Sequence, residues 1–305
     1  MLLVGSGVVA TALLIGLVGS GRATFPGADG EVVFQNPDGG AFYTVKPDGS
    51  QLTKIPGTGA FNGINADPSF GGSGRRIVFS HTTSPDGDLS SIVYMDPDGS
   101  NRHTVIRRKG FHFFDPSFSP GGGRIVFVLN DAIFAVRTSG THLHKLADTR
   151  GFDRYPSYSP GGKLIVWNAG FRILLMRADG THRRVVARGP HFGEPSFSPA
   201  GKRILFTGGP SGSSTPLTDV LEMNLDGTGL HHVTNDAGAS VVYHTPHFSP
   251  AGTRIVVVRK NPSPECNNCE SLQIMNANGG NPHPLAETKS AVTPDWGPAV
   301  SSPYP

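Results

Sequence analysis

A short phrase centred on proline recurs six times along this chain of 305 residues. In each copy, proline is followed by one polar residue and then by an aromatic residue. The copies are Asp67-Pro68-Ser69-Phe70, Asp115-Pro116-Ser117-Phe118, Tyr155-Pro156-Ser157-Tyr158, Glu194-Pro195-Ser196-Phe197, Thr245-Pro246-His247-Phe248 and Thr293-Pro294-Asp295-Trp296. Successive prolines are 48, 40, 39, 51 and 48 residues apart. Periods of about 40 to 50 residues are typical of propeller blades and of helical repeats.

The residues that follow each phrase indicate strands. A Ser-Pro-x-Gly turn, such as Ser119-Pro120-Gly121-Gly122, precedes an apolar run such as Ile125-Val126-Phe127, which suits a buried strand. A third run ends in Asp-Gly, as at Asp179-Gly180, and this pair is a strong hairpin signal. A fourth, more polar run closes each unit. Because the chain contains 41 Gly and 26 Pro residues, which interrupt helices, each repeat is predicted to be a four-stranded antiparallel blade.

The two ends of the chain complement each other. The first apolar run, Glu31-Val32-Val33-Phe34, has no copy of the phrase before it, whereas the last copy, Thr293 to Trp296, has no further strands after it. We therefore predict an all-β fold, a six-bladed β-propeller of four-stranded antiparallel blades, closed by the C-terminal strand, which completes the first blade. Such closure removes an open sheet edge. The propeller is predicted over 24–300 as a single domain, with a tail over 301–305.

The N-terminal segment predicts export. An apolar run from Leu2 to Val18 is followed by small residues up to Ala23, which is typical of a signal peptide or signal-anchor over 1–23, although no basic residue precedes the run. The protein is accordingly expected in the periplasm, in the cell envelope or outside the cell. The two cysteines, Cys266 and Cys269, lie in a Pro- and Asn-rich stretch, and without a second Cys pair a local disulfide is favoured over a zinc site.

Phrase, turn and hairpin together resemble the WD40-like (PD40) repeat of TolB-like six-bladed propellers, over residues 25–298. The resemblance implies the fold strongly, because six copies agree in content and order. It implies little about activity, since the same repeat occurs in interaction proteins, in propellers fused to peptidases and in some polysaccharide lyases. The Asp of the family's turn is replaced here by Gly122, Gly161, Ala200 and Ala251.

Polar residues just before each phrase are the candidate ligand-binding residues. In a propeller the inner strand begins at one end of the central channel, so these residues are expected to surround the channel mouth. They are Asp67, His112, Asp115, Asp153, Arg154, Tyr155, His191, Glu194, His244 and Asp295. Two interpretations remain open. The side chains are either hydrogen-bonded between blades or form a ligand site, and in lyase relatives blade histidines hold a divalent ion.

The function predicted from these features is an exported, non-catalytic scaffold that binds a protein or peptide and needs no cofactor. A net charge of +3 does not indicate nucleic-acid binding, and no Gly-x-Ser-x-Gly motif is present. The insertions at 208–218 and 261–270 are candidate partner-binding loops. The basic run Arg107-Arg108-Lys109 is interpreted as a solvated loop. The protein is expected to be a monomer. The alternative is a lyase-like or sugar-binding propeller with a His/carboxylate metal site at the channel mouth.

Overall fold

A computed structural model describes residues 24–36, 40–59, 63–83, 89–209, 217–236, 241–261, 270–285 and 291–300. These residues form 24 strands in six four-stranded antiparallel sheets, one sheet per blade. No helix long and apolar enough to cross a bilayer occurs within these ranges. The predicted leader over 1–23, the tail over 301–305 and the predicted Cys266–Cys269 disulfide lie outside the described residues.

Each blade has an inner strand, two middle strands and an outer strand. Blade 1 contains β24 (Val292–Pro298), β1 (Asp29–Asn36), β2 (Ala41–Val45) and β3 (Thr53–Lys54). Blade 2 contains β4 (Ile64–Phe70), β5 (Ile77–Thr82), β6 (Leu89–Met95) and β7 (His103–Lys109). Blade 3 contains β8 (Phe113–Phe118), β9 (Arg124–Leu129), β10 (Ala132–Arg137) and β11 (His144–Ala147). Blade 4 contains β12 (Asp153–Tyr158), β13 (Leu164–Ala169), β14 (Arg172–Arg177) and β15 (Arg184–Arg188). Blade 5 contains β16 (Gly193–Phe197), β17 (Arg203–Gly208), β18 (Asp219–Asn224) and β19 (His231–His232). Blade 6 contains β20 (Val242–Phe248), β21 (Arg254–Lys260), β22 (Glu270–Asn276) and β23 (His283–Pro284).

The closure of the ring is as predicted. Strand β24, at the C-terminal end, pairs antiparallel with β1, with Val32 opposite Trp296 and Val33 opposite Asp295. The first blade therefore takes its inner strand from the last phrase of the chain. This pairing gives the second strand of blade 1 a partner that the N-terminal sequence alone does not provide.

Every inner strand is irregular at its proline. The pairing register shifts at this point, for example between Ala66 and Ser69 in blade 2 and between His244 and His247 in blade 6. Proline donates no backbone hydrogen bond, so a β-bulge is the usual solution. The residue before the proline adopts positive φ in all six phrases, namely Asp67, Asp115, Tyr155, Glu194, Thr245 and Thr293.

The phrase aromatics form the core between blades, as their periodicity predicts. Phe248 of blade 6 packs with Leu205 and Val220 of blade 5, and Trp296 of blade 1 packs with Val256 of blade 6. All six are buried: Phe70, Phe118, Tyr158, Phe197, Phe248 and Trp296. Burying one such ring contributes roughly 2–3 kcal/mol, so the repeat stabilises each interface between blades in the same way.

The glycine turns between the third and fourth strands, Ser139-Gly140 in blade 3 and Asp179-Gly180 in blade 4, contact the preceding blade. A hairpin by itself does not require this contact. The turn glycine Gly140 of blade 3 lies against the backbone carbonyl of Val105 in β7, and a Cβ at this position would come within 2.6 Å of that oxygen. The same contact joins Gly180 to the Leu146 carbonyl. Glycine is therefore needed here for close approach between blades as well as for positive φ.

The prediction of a solvated loop at Arg107-Arg108-Lys109 is wrong. All three residues belong to β7, where Lys109, Arg108 and Arg107 pair with Leu89, Ser90 and Ser91 in that order. The apolar pair Val105 and Ile106, each 7% exposed, anchors the strand, and β6 is long enough to continue the ladder beyond it. The basic side chains therefore project from an outer edge strand.

Candidate binding site at the channel mouth

The mouth face is defined here as the end of the propeller at which the inner strands β4, β8, β12, β16, β20 and β24 begin. The turn face is the opposite end, which carries the Ser-Pro-x-Gly and Asp-Gly turns. The predicted candidates lie in or just before the first half of the inner strands, except Asp295, which follows the proline of its phrase. They separate into buried carboxylates, one His–Glu pair and a group of aromatic and basic side chains.

Three carboxylates link successive blades through the bulges. One oxygen of Asp67 accepts a hydrogen bond from the backbone N–H of Asp115 at 3.2 Å, and Asp115 accepts one from Tyr155 at 3.1 Å. Glu194 likewise accepts from the N–H of Thr245 at 2.6 Å. Each of the three residues is at most 7% exposed. A bulge leaves a backbone donor without its ladder partner, and these carboxylates supply an acceptor from the neighbouring blade.

The phenol of Tyr155 is close to all three of these carboxylates. Burial raises the pKa of Tyr155 well above its ordinary value, and the negative charges of Glu194, Asp115 and Asp67 raise it further. The hydroxyl therefore remains neutral and available as a donor at any physiological pH.

Asp153 and Asp295 are buried and hold local structure. Asp153 accepts hydrogen bonds from the indole Nε1 of Trp167 at 2.9 Å and from the hydroxyl of Thr149 at 2.7 Å. Asp295 accepts from the backbone N–H of Phe70 at 2.7 Å and joins blade 1 to blade 2. Its second oxygen lies 3.8 Å from Nδ1 of the fully buried His247, a pair that the sequence analysis missed. The signal was present, because His247 and Asp295 replace the serine found in the other four phrases.

His244 forms an ion pair at the start of β20. Its Nδ1 lies 3.4 Å from a carboxylate oxygen of Glu194. Burial alone would lower the pKa of His244, but the charge and hydrogen bond of Glu194, with a further contribution from Glu270, outweigh burial and the opposing charge of Lys260, so the pKa is raised. The imidazole therefore retains its proton to a higher pH than an ordinary histidine.

This raised pKa predicts a pH-dependent stability. A group whose pKa is higher in the folded chain stabilises the fold below its unfolded pKa, ordinarily about 6.5 for histidine, and this stabilisation is lost as the pH rises through the folded pKa. We therefore expect His244→Gln to be less stable than the wild type at about pH 5.5, and the difference to shrink by about pH 8.5. Urea unfolding at both pH values measures this. Glu194→Gln keeps an acceptor for the N–H of Thr245 but removes the charge that raises the pKa of His244. Both variants should therefore lose less stability than the wild type between these two pH values. If both variants lose as much stability as the wild type, the assignment is contradicted.

The remaining candidates lie among aromatic rings. The ring of His112 stacks on Phe114 with centroids 6.1 Å apart, and the guanidinium of Arg154 lies 5.4 Å from the centre of the same Phe114 ring. Arg154 also forms an ion pair with Asp131 at 2.7 Å. His191 contacts Phe171 edge-on at 5.2 Å.

The three candidate histidines, His112, His191 and His244, therefore have different partners. In the described parts of the chain, no group of three or more His, Cys, Asp or Glu side chains is arranged to hold a metal ion. The metal alternative stays a prediction with no geometric observation behind it.

Exposed apolar side chains are the feature of this face that the sequence analysis missed. Phe152 is 69% exposed, Phe171 is 60% exposed and Phe111 is 38% exposed, all on blades 3 and 4, and Ile64 at the start of β4 is 56% exposed. One regularity could have identified two of them, because Ile64 and Phe152 each stand four residues before the proline of their phrase. Apolar groups gathered on one surface are typical of binding sites.

Comparisons with known proteins agree with this fold. The family model described as the TolB beta propeller domain matches residues 86–300. TolB from Acinetobacter baumannii is 20% identical to this chain, with a TM-score of 0.71. The match covers 88% of this chain and 66% of that TolB, so this chain spans slightly less than two thirds of the length of that TolB. A putative TolB from Agrobacterium tumefaciens is 16% identical with a TM-score of 0.67, covering 86% of this chain and 90% of that one.

A more distant similarity is to an oligogalacturonate lyase in complex with manganese. It is 13% identical with a TM-score of 0.51, covering 80% of this chain and 75% of that one. Identities this low show the fold alone. Comparison with the curated proteins gave no match. The family model, however, spans well over half of the chain and confirms the resemblance carried by the repeated phrase: the protein belongs to the TolB β-propeller family.

Proposed function

We propose that this protein is an exported, non-catalytic scaffold that binds a protein or peptide partner through its mouth face. The observation that carries the proposal is the exposure of Phe111, Phe152 and Phe171 on adjacent blades of that face. Aromatic residues and arginine are enriched in the centres of protein interfaces, where a few such side chains supply most of the binding energy. The protein acts as a monomer until it meets this partner.

The surroundings of these rings suit a preformed site. Arg154 is held by Asp131 and the Phe114 ring, and Phe171 is held against His191, so both side chains are oriented before a partner binds. The backbone beneath is also restrained, because the N–H of Asp153 donates to the carbonyl of Asp131 at 3.2 Å. Side chains ordered in advance lose less entropy on binding.

Site-specific photocrosslinking tests the proposal. A photoreactive residue is introduced at position 152 or 171 of the full chain and, as a matched control, at 52 or 230, where Leu52 and Leu230 are each 47% exposed on the turn face. We expect one and the same protein to be crosslinked from both mouth positions in an extract of the source cells, and not from the turn face. Excess unlabelled wild type should abolish these adducts, whereas excess Phe152→Ser/Phe171→Ser variant should not. Equal adducts at both faces, or none at the mouth face, would refute the proposal.

Export is part of the same proposal and rests on the apolar run and small residues of segment 1–23. Mass spectrometry of the mature protein is expected to find an N-terminus near Thr24, or an intact chain in the membrane fraction if the segment acts as a signal-anchor. A full-length chain beginning at Met1 in the cytosolic fraction would contradict export.

A further inference from the structure

Basic residues are concentrated on one side of the propeller. Residues 102–203, from the end of blade 2 to the start of β17, contain 17 of the chain's 26 Lys and Arg residues but 6 of its 23 Asp and Glu residues. Three of those acids, Asp115, Asp153 and Glu194, are buried and accept hydrogen bonds inside the protein. The surface of this sector is therefore strongly positive, although the net charge of the chain is only +3.

Exposed arginines occur on three successive blades. The outer strands β7, β11 and β15 are neighbours around the ring, because Gly140 of blade 3 touches Val105 in β7 and Gly180 of blade 4 touches Leu146 in β11. We use the name basic wall for six exposed arginines on blades 2, 3 and 4. Four lie in the outer strands β7 and β15, and two lie at the ends of the middle strands β10 and β14, where the turns to the outer strands begin: Arg107, Arg108, Arg184, Arg188, Arg137 and Arg177.

Two pairs of arginines in this sector stand directly opposite each other. Arg124 pairs with Arg137 in blade 3, and Arg172 pairs with Arg188 in blade 4. Like charges at such positions oppose folding. In blade 5 the equivalent of the first pair is Arg203 opposite Asn224, so the fold itself does not require a second positive charge. An anion bound at the wall would relieve this repulsion.

The outer strands of this sector are also unusually long. Strand β7 has seven residues and β15 has five, whereas the outer strands of blades 1, 5 and 6 have two each. Each is the last strand of its sheet. A turn glycine of the next blade covers the edge at one point, Val105 in β7 and Val186 in β15, and the strands continue beyond it to Lys109 and Arg188. The end of an edge strand presents backbone N–H and C=O groups that another polypeptide can pair with. A polysaccharide or a lipid surface has no such backbone. The planar guanidinium groups along these edges match carboxylates.

We propose that the basic wall binds an extended, Asp- and Glu-rich polypeptide segment. Its backbone would pair with the edge of β7 or β15, and its carboxylates would meet the arginines of that strand, Arg107 and Arg108 in β7 or Arg184 and Arg188 in β15. The wall lies on the convex rim of the ring, so a flat bilayer would touch only a small part of it. This site is separate from the mouth face, and its failure would leave the proposed function untouched.

Fluorescence anisotropy with a labelled dodecapeptide of alternating Glu and Val tests the proposal on the full chain. Arg107→Ser/Arg188→Ser is expected to weaken binding about tenfold. The matched control, Lys46→Ser/Lys54→Ser, removes the same charge from exposed residues of blade 1 and should change the affinity less than about twofold. Added salt should weaken binding, since exposed charges are screened. Thermal unfolding of both double variants checks that they are folded.

Two further arms test the class of partner. The same peptide methylated on alternate backbone nitrogens keeps its charge but cannot pair with a strand edge, and we expect it to bind at least about tenfold more weakly. Equal binding of the methylated peptide, or preferential binding of heparin, a DNA oligonucleotide or phosphatidylglycerol vesicles, would overturn the polypeptide assignment. No binding, or equal losses in the two double variants, would mean that the arginines only protect the sheet edges from aggregation, and the proposal would be rejected.

Discussion

Gly140→Ala is expected to lower the free energy of unfolding by about 3 kcal/mol. Gly140 has a φ of +80°, a conformation that costs a residue with a Cβ roughly 1–2 kcal/mol. The added Cβ would also lie 2.6 Å from the carbonyl oxygen of Val105, a backbone atom of the neighbouring blade that cannot move without disturbing β7. The substitution therefore strains the turn and separates two blades at once. Urea unfolding measures the loss.

Blade 3 itself supplies the controls for this prediction. Gly122 also has positive φ, +68°, but a Cβ there would meet nothing within 4 Å, so Gly122→Ala should lose only the conformational part, about 1 kcal/mol. Gly121 combines open space with ordinary φ, and Gly121→Ala should be close to neutral or slightly stabilising. If Gly140→Ala were no worse than Gly122→Ala, the contact between blades would contribute nothing measurable.

Asp295→Ala is expected to cost about 3 kcal/mol as well, for a different reason. The Asp295 carboxylate is 1% exposed and accepts hydrogen bonds from the N–H of Phe70 at 2.7 Å and from the hydroxyl of Ser69 at 3.2 Å. Its removal leaves two donors of blade 2 buried without this acceptor and takes the carboxylate away from His247. Buried donors that lose their partner pay the full cost of lost hydration.

Asp179→Ala is the matched control. Asp179 also accepts one backbone and one hydroxyl hydrogen bond, both from Thr181, at 2.9 and 2.6 Å. That side chain is exposed, so water replaces the lost acceptor and a much smaller loss of stability is expected. Asp295→Asn, which keeps one acceptor oxygen, should lie between the two in urea unfolding. Similar losses for Asp295→Ala and Asp179→Ala would argue against a special role of Asp295 in joining blades 1 and 2.

Much of the fold could be predicted because its determinants are local. The phrase, the Ser-Pro-x-Gly turn and the Asp-Gly turn each set the direction of the chain within a few residues, and the predicted pairing of the C-terminal phrase with the run at Glu31 is observed. The basic run at Arg107 was misplaced because charge suggested a loop. The length of β6, which supplies its partners, decided otherwise.

The candidate site was harder to predict, because a repeated position does not have a repeated role. Asp67 and Asp115 stand directly before the proline of their phrases and accept hydrogen bonds from the backbone of the next blade. In blade 4 Tyr155 occupies that position, and Asp153, two residues earlier, accepts a hydrogen bond from its own loop instead. The exposed ring of Phe171 carries no signal of exposure in a sequence rich in buried phenylalanine, whereas Phe152 shares its position before the phrase with the exposed Ile64.

The amino-acid sequence by itself determined the all-β class, the number of blades, the position of the turns and the closure of the first blade. These features follow from the spacing of the repeated phrase along the chain and from the backbone preferences of each turn, which act over a few residues. Only the tertiary structure decided which carboxylates reach across to the next blade, that His244 meets Glu194, and that exposed phenylalanines gather on blades 3 and 4. Those contacts join residues at least 40 positions apart in the sequence, and such residues come together only when the blades pack around the ring.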